Sequence, residues 1–528
     1  MDMSLRYPSA RSPVFGRNIV ATSQPLAAQA GLAMLAAGGN AADAAVATAM
    51  ALTVVEPTGC GLGSDAFAIV WDGRKLHGLN ASGRSPAAWT RGYFAGHAEM
   101  PRHGWNSVTV PGVVSGWMAL WRRFGSLPLP AIAAPAIRYA REGFQVTPLI
   151  AQRWAAEVEV LADQRGFADT FLIDGHAPAA GQLFRNPALA ASLEEIVASE
   201  GEAFYRGALA AKLVEHARTN GGVLTESDLA DHRADWVETL SAKFAGAAVH
   251  EIPPNGQGIV TLITLDILEK LGLGGASVDS VETLHLAIEA TKLALVDAAA
   301  FVGDVETMPL RPADLLDPSY LAARVKLIDR KRAGDPGHGG PRPGGTVYLA
   351  AADASGMMVS FIQSNFMGFG SGVVVPGTGI SLQNRGTGFS LADGHPNVVA
   401  PRKRPFHTII PGFAMNGDGT PMMAFGVMGG PMQAQGHVQM ALRIIAYGQN
   451  PQAAVDAPRW RVVSGRKVAV EATFDRALAD GLRALGHDVV VDPPDGFFAF
   501  GGAQIVQWTT DGYVGGSDPR KDGQAVAF

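Results

Sequence analysis

Residues 341–353 read PRPGGTVYLAAAD, and the change of texture at Thr346 decides how the rest of the chain is read. From Gly334 to Gly345 nine of twelve residues are glycine or proline, a loop that can be neither helix nor central strand. Thr346 then opens a β-prone run. The segments TVYLAAAD (346–353) and MMVSFIQS (357–364), joined at DASG, predict a β-hairpin. A threonine hydroxyl is a weak nucleophile and needs a nearby base. If the chain is cut before Thr346, the new α-amine, titrating near pH ~8, can be that base. The same hydroxyl can make the cut by attacking the carbonyl of Gly345, a residue with no side chain to obstruct it. A threonine that merely begins a strand is the other reading of the local pattern.

Outward from that seam the texture differs on the two sides. Before it, helical periodicity dominates: residues 24–37 stop at Gly38-Gly39, and Asn40 caps a second helix with Asp43 at its positive end. Residues 186–199 and 280–302 carry apolar positions at three- and four-residue spacing. PPNGQG (253–258) reads as an exposed turn between them. After the seam come short strand-like runs, among them MMAFGVM, KVAVEA and AQIVQWTT, separated by Gly, Pro and Asp. A mostly helical segment 1–345 and a β-rich segment 346–528 fit one composite domain, helices over sheets, better than separate modules.

Composition excludes several functions. With 528 residues, 47% hydrophobic, 17% charged and a net charge of −6, the chain offers no electrostatic case for nucleic acid or an anionic membrane. Arg402-Lys403-Arg404 is a solvated turn or an anion site. The single cysteine, Cys60, excludes an internal disulfide and a multi-cysteine metal site, and reads as a buried thiol. Residues 1–18 hold no apolar targeting stretch, and Ala44 to Val55 is too short to span a bilayer, so a cytoplasmic protein is expected. No Walker A, H-E-x-x-H or G-x-S-x-G motif occurs, and the 13 histidines are scattered. Neither metal nor cofactor is expected.

In order and spacing, a further set of stretches resembles the γ-glutamyltranspeptidase family of N-terminal-nucleophile hydrolases. They are AGGNAADAAVATAMALTVVEPTGCGLGSDAF (37–67), VPGVVSGW (110–117), EATKLALVDAAAFVGD (289–304), GTVYLAAAD (345–353), FGSGVVVPGTGISLQN (369–384), PRKRPFHTIIP (401–411), VMGGPMQ (427–433), DAPRW (456–460) and GSDPR (516–520). The resemblance implies an α+β fold, the four-layer αββα sandwich, and self-cleavage between Gly345 and Thr346 into a large and a small subunit. It implies Thr346 as nucleophile, Ser364 as the hydroxyl that orients it, and the amides of Gly429 and Gly430 as the oxyanion hole. Adjacent glycines suit that role because no side chain shields their N–H groups, and losing one such donor typically costs ~10²–10³ in rate.

The resemblance also has departures, all in the part that binds substrate. Members that take γ-glutamyl groups hold the substrate's ammonium with polar and acidic side chains. Here Phe366 stands where an asparagine is usual, and Arg385 and Gly388 follow Asn384 where an acceptor and an aspartate are usual. An arginine there repels an ammonium. The usual serine pair reads His407-Thr408, and Arg84, in SGRSP, is displaced by two residues from the family's carboxylate-binding arginine. Arg84, Asn384, Arg385, His407 and Thr408 together suit a small carboxylate-bearing amide such as oxamate. The alternatives are γ-glutamyl transfer or glutathione hydrolysis, and an unprocessed binding protein that kept the fold.

Overall fold

Two seven-stranded antiparallel sheets lie face to face in the computed structural model, which describes residues 10–336, 345–491 and 499–528. One sheet runs, in spatial order, Gln524–Ala527, Ile19–Thr22, Gly345–Ala352, Met358–Phe366, Asp65–Trp71, Leu76–Ala81 and Asp235–Val237. The other runs Val14–Gly16, Gly512–Ser517, Gly502–Thr509, Pro421–Met428, Gly412–Asn416, Ala247–Glu251 and Leu240–Phe244. Phe67, Ile69, Tyr348, Ile362, Phe413 and Val506 fill the space between them. Each outer face is covered by helices with a core of their own. Pro25–Ala36, Ala41–Val55 and Val113–Phe124 pack on the first sheet, and Gly258–Leu271 and Met432–Ala441 on the second, with Val281–Phe301 packed against Gly258–Leu271. The order helix, sheet, sheet, helix is the αββα sandwich.

Local signals placed most elements well. Asn40 caps Ala41–Val55 by accepting from the amides of Ala42 and Asp43, and the Asp43 carboxylate returns a bond to the Asn40 amide at 2.9 Å. Every residue of that helix is buried, as a helix apolar all round must be. The hairpin forms, with Ala352 opposite Met358. Cys60 is a buried thiol that accepts from Gln363 Nε2 at 3.3 Å, and burial raises its pKa well above the ordinary value.

Helices outweigh strands in the first segment, and half of the fourteen strands in the facing sheets also precede Gly345. Asp65–Trp71 (DAFAIVW) is buried almost throughout, and a strand covered on both faces shows no polar alternation. PPNGQG is not an exposed turn: Pro254 through Gly258 are buried, and Gln257 reaches the candidate site.

Of the glycine- and proline-rich loop, residues 337–344 lie outside the described residues. Its root is anchored on the helix Val281–Phe301. Lys292 Nζ donates to Glu289 at 2.7 Å and to the Gly334 carbonyl at 3.0 Å, while Glu289 accepts from the Gly334 amide at 2.9 Å. One buried pair thus holds both backbone groups of Gly334. Among the described residues no helix is long and apolar enough to cross a membrane.

Candidate active site

Thr346 is fully buried on an inner strand of its sheet, at an irregular point in the hairpin ladder. Gly345 pairs with Phe366 and Val347 with Gln363, so Ser364 and Asn365 together stand opposite Thr346 in a β-bulge. The bulge aims Ser364 at the threonine. Thr346 Oγ1 donates to Ser364 Oγ at 3.3 Å, and Ser364 Oγ also accepts from the Phe366 amide at 2.7 Å. Phe366 itself has φ +78°, the left-handed region that a bulky residue rarely adopts. Asn365 faces away from the threonine, accepting from Ser64 Oγ at 2.7 Å and donating to Ser381 Oγ at 3.3 Å.

Gly429 and Gly430 follow the strand Pro421–Met428 and lead into the helix Met432–Ala441, with φ of 120° and 58°. Only glycine takes both angles without strain, which lets the strand turn abruptly into a helix at the site. Three residues on, Gln433 Nε2 donates to Thr346 Oγ1 at 3.1 Å, so this turn meets the strand that carries Thr346 directly. Gln257 Nε2 fixes the turn from outside, donating to the carbonyls of Gly430 (2.9 Å) and Thr408 (2.5 Å).

A cleft of about 660 Å³ opens beside Pro431 and is lined by Phe366, Met367, Arg385, Phe389, Phe406 and Thr408 among others. Arg385 is 2% exposed. Its Nη1 donates to Thr408 Oγ1 at 2.9 Å and its Cζ lies 4.7 Å from the centre of the Phe366 ring, while Nε and Nη2 are buried without a hydrogen-bond partner. Two of the departures noted in the sequence, Phe366 and Arg385, therefore stack on one another. Burial pulls the Arg385 pKa down to about 9, and the charge of Asp65 opposes that fall, so the group stays cationic at neutral pH.

Asp65 is the hub behind this cation, and its role was not read from the sequence. Its Oδ1 accepts from the amides of Gly83 and Gly112, both at 3.1 Å, and its Oδ2 faces His407 Nε2 at 3.1 Å. A Cβ at Gly83 would lie 1.5 Å from the Val110 carbonyl oxygen, and one at Gly112 would lie 1.6 Å from that of Ala81. Only glycine brings these two strand ends close enough for both amides to reach one carboxylate. Burial pushes the Asp65 pKa up to about 7, against Arg385, the two amides and Arg404.

The other expected ligand contacts are engaged with protein. His407 Nδ1 accepts from the Ile409 amide at 3.3 Å, so Nε2 carries the proton and donates to Asp65. Neither ring nitrogen is left for a substrate. Burial, then the charges of Arg385 and Arg404, hold the His407 pKa well below the ordinary histidine range. Its ring resonances should therefore show the neutral Nε2–H tautomer in an NMR titration from about pH 8 to about pH 5. A midpoint near ~6.5 contradicts this assignment. Asn384 accepts from the Met367 amide at 3.2 Å and donates to the Arg102 carbonyl at 2.9 Å, fastening the turn that carries Arg385. Arg84 lines a different cavity, beside Asp228, Asp231 and Glu306, and pairs with Asp304 at 3.1 Å. There it is an ion-pair partner and lies outside the cleft that Arg385 lines.

Thr346, Ser364 and the Gly429-Gly430 turn thus form one constellation, with Arg385 and Thr408 in the cleft beside it. Asp65, Gln257 and Gln433 were missed as members. Each is a buried polar residue inside or next to a glycine-rich stretch, which was the available signal.

Comparison with known proteins agrees with the fold. The model of the gamma-glutamyltranspeptidase family matches residues 27–528. The glutathione hydrolase-like YwrD proenzyme of Bacillus subtilis (strain 168) is 36% identical, over 98% of this chain and 100% of its own. The oxamate amidohydrolase proenzyme of Klebsiella pneumoniae is 37% identical, over 95% of this chain and 97% of its own. Among solved structures, the cephalosporin acylase of Bacillus halodurans superposes with a TM-score of 0.95 at 48% identity, covering 100% of this chain and 99% of its own. With nearly its whole length matched in sequence and in structure, the chain belongs to the gamma-glutamyltranspeptidase family.

Proposed function

We propose that this amide hydrolase matures by cutting its own chain before Thr346 and then hydrolyses the C–N bond of a small amide that carries a carboxylate, oxamate being the simplest candidate. In maturation the Thr346 hydroxyl attacks the Gly345 carbonyl, the peptide bond shifts to an ester, and water releases residues 1–345 from a new N-terminal threonine. In turnover the freed α-amine takes the Thr346 proton as Oγ1 bonds to the substrate carbonyl carbon. The amides of Gly429 and Gly430 receive the developing oxyanion. The amine then gives the proton to the departing nitrogen, and water releases the acyl group by the reverse route. Ser364 orients the hydroxyl throughout.

One observation carries the substrate class: the buried Arg385 guanidinium, with two N–H-bearing nitrogens unpartnered beside the cleft. A carboxylate satisfies such a fork, whereas the ammonium of a γ-glutamyl group would be repelled by it. The likeness to an oxamate amidohydrolase agrees with this choice. The test is a panel on processed enzyme: oxamate, its uncharged diamide counterpart, and a chromogenic γ-glutamyl anilide. Oxamate turnover with little on the other two is expected. Brisk γ-glutamyl turnover overturns the substrate assignment.

A further inference from the structure

We infer that Gln433 is a catalytic residue, whose carboxamide N–H holds the Thr346 hydroxyl oxygen and stabilises the charge on it whenever its proton or its acyl partner leaves. This rests on Thr346 being the nucleophile. The orientation of the carboxamide is forced by its surroundings. The Ile410 amide, which can only donate, lies 3.1 Å from Gln433 Oε1, so the nitrogen end must face Thr346 Oγ1, 3.1 Å away. With one lone pair taken by Gln433, the hydroxyl sends its proton toward Ser364 Oγ, which already accepts from the Phe366 amide.

The placement also couples the two halves of the machinery. The Gln433 amide donates to the Gly430 carbonyl at 3.1 Å, so the residue that grips the nucleophile belongs to the same turn as the oxyanion donors. Gln433 is fully buried and sits on the first turn of the helix Met432–Ala441, so its reach to Thr346 is set by packing. As Oγ1 bonds to a carbonyl carbon its proton passes to the base. As that bond breaks again in deacylation, Oγ1 leaves as an alkoxide that takes the proton back. At both stages a fixed N–H on this oxygen lowers the barrier, and no further reactant is needed.

The test uses the full chain and follows maturation on denaturing gels, a readout that needs no substrate. Gln433→Leu should mature about 10- to 100-fold more slowly than wild type, the size of one hydrogen bond to a charged oxygen. Gln433→Glu should be slow at neutral pH, where a carboxylate cannot donate. Its rate relative to wild type at the same pH should rise as acid protonates the carboxyl, because a neutral acid donates as the amide does. Recovery of that kind separates a role in chemistry from mere packing, and holds even if the leucine variant folds poorly. Maturation of Gln433→Leu at the wild-type rate, or a Gln433→Glu ratio that is flat with pH, overturns the inference. A wild-type chain that never matures would instead sink the reading of Thr346.

Discussion

Thr346→Ala should leave a single intact polypeptide of 528 residues that hydrolyses no amide, while the wild-type chain separates on a denaturing gel into residues 1–345 and 346–528. In the proposed mechanism both losses have one cause, since the same oxygen cuts the chain and attacks the substrate. The fold should survive the change. Thr346 is buried on a strand flanked by Ile19–Thr22 and Met358–Phe366, and alanine removes one methyl and a hydroxyl from a packed site, a cost of the order of 1–2 kcal/mol. Thr346→Ser keeps the oxygen, so it should still mature, but more slowly because its hydroxyl samples more rotamers. A wild-type chain that stays whole on the gel yet hydrolyses amides would disprove the mechanism at its root.

Arg385→Met should sharply lower turnover of carboxylate-bearing amides while the chain still folds. A buried guanidinium with two unpartnered nitrogens is a cost to the folded state, relieved only when an anion arrives. Methionine fills a similar volume and can pack its sulfur against Phe366. Removing the guanidinium saves its desolvation cost but gives up the favourable charge of Asp65 behind it, and the two effects oppose one another. Loss of the anion's partner should lower kcat/KM for oxamate by at least about 100-fold, the usual size of a broken buried charge pair. Self-cleavage should continue, because Arg385 contacts Thr408 and Phe366 and not Thr346. An Arg385→Met enzyme that is merely unstable, or that loses uncharged amides as severely as oxamate, contradicts the assignment.

How much of this site could be read in the chain follows from the distance over which each residue acts. Thr346 stood out because a loop of glycine and proline ends at it, and the hairpin behind it is local. Ser364 lies 18 positions away on the return strand of that hairpin. Gln433 meets Thr346 across 87 positions, Gln257 meets Gly430 across 173, and Asp65 meets His407 across 342. No periodicity or spacing reports such pairs. Gln257 was mistaken for part of an exposed turn because PPNGQG has the composition of one, and only packing shows that it is buried. The two arginines make the same point. Arg84 and Arg385 were alike as candidate anion binders, yet one pairs with Asp304 and the other faces the cleft with nitrogens to spare.

By itself the sequence determined the class of chemistry: a threonine after a permissive glycine, a second hydroxyl on the return strand, a glycine pair, and no cofactor motif. It also marked the positions, Phe366 and Arg385 among them, where this chain departs from the family's γ-glutamyl-binding pattern. Only the tertiary structure decided which departures act together. Phe366 and Arg385 stack, His407 turns inward to Asp65, and Gln433 reaches back to Thr346. The physical reason is that a hydroxyl and a glycine pair declare their chemistry through local geometry. A buried charge takes its meaning from its neighbours, and those arrive from distant parts of the chain only when the two sheets close on one another.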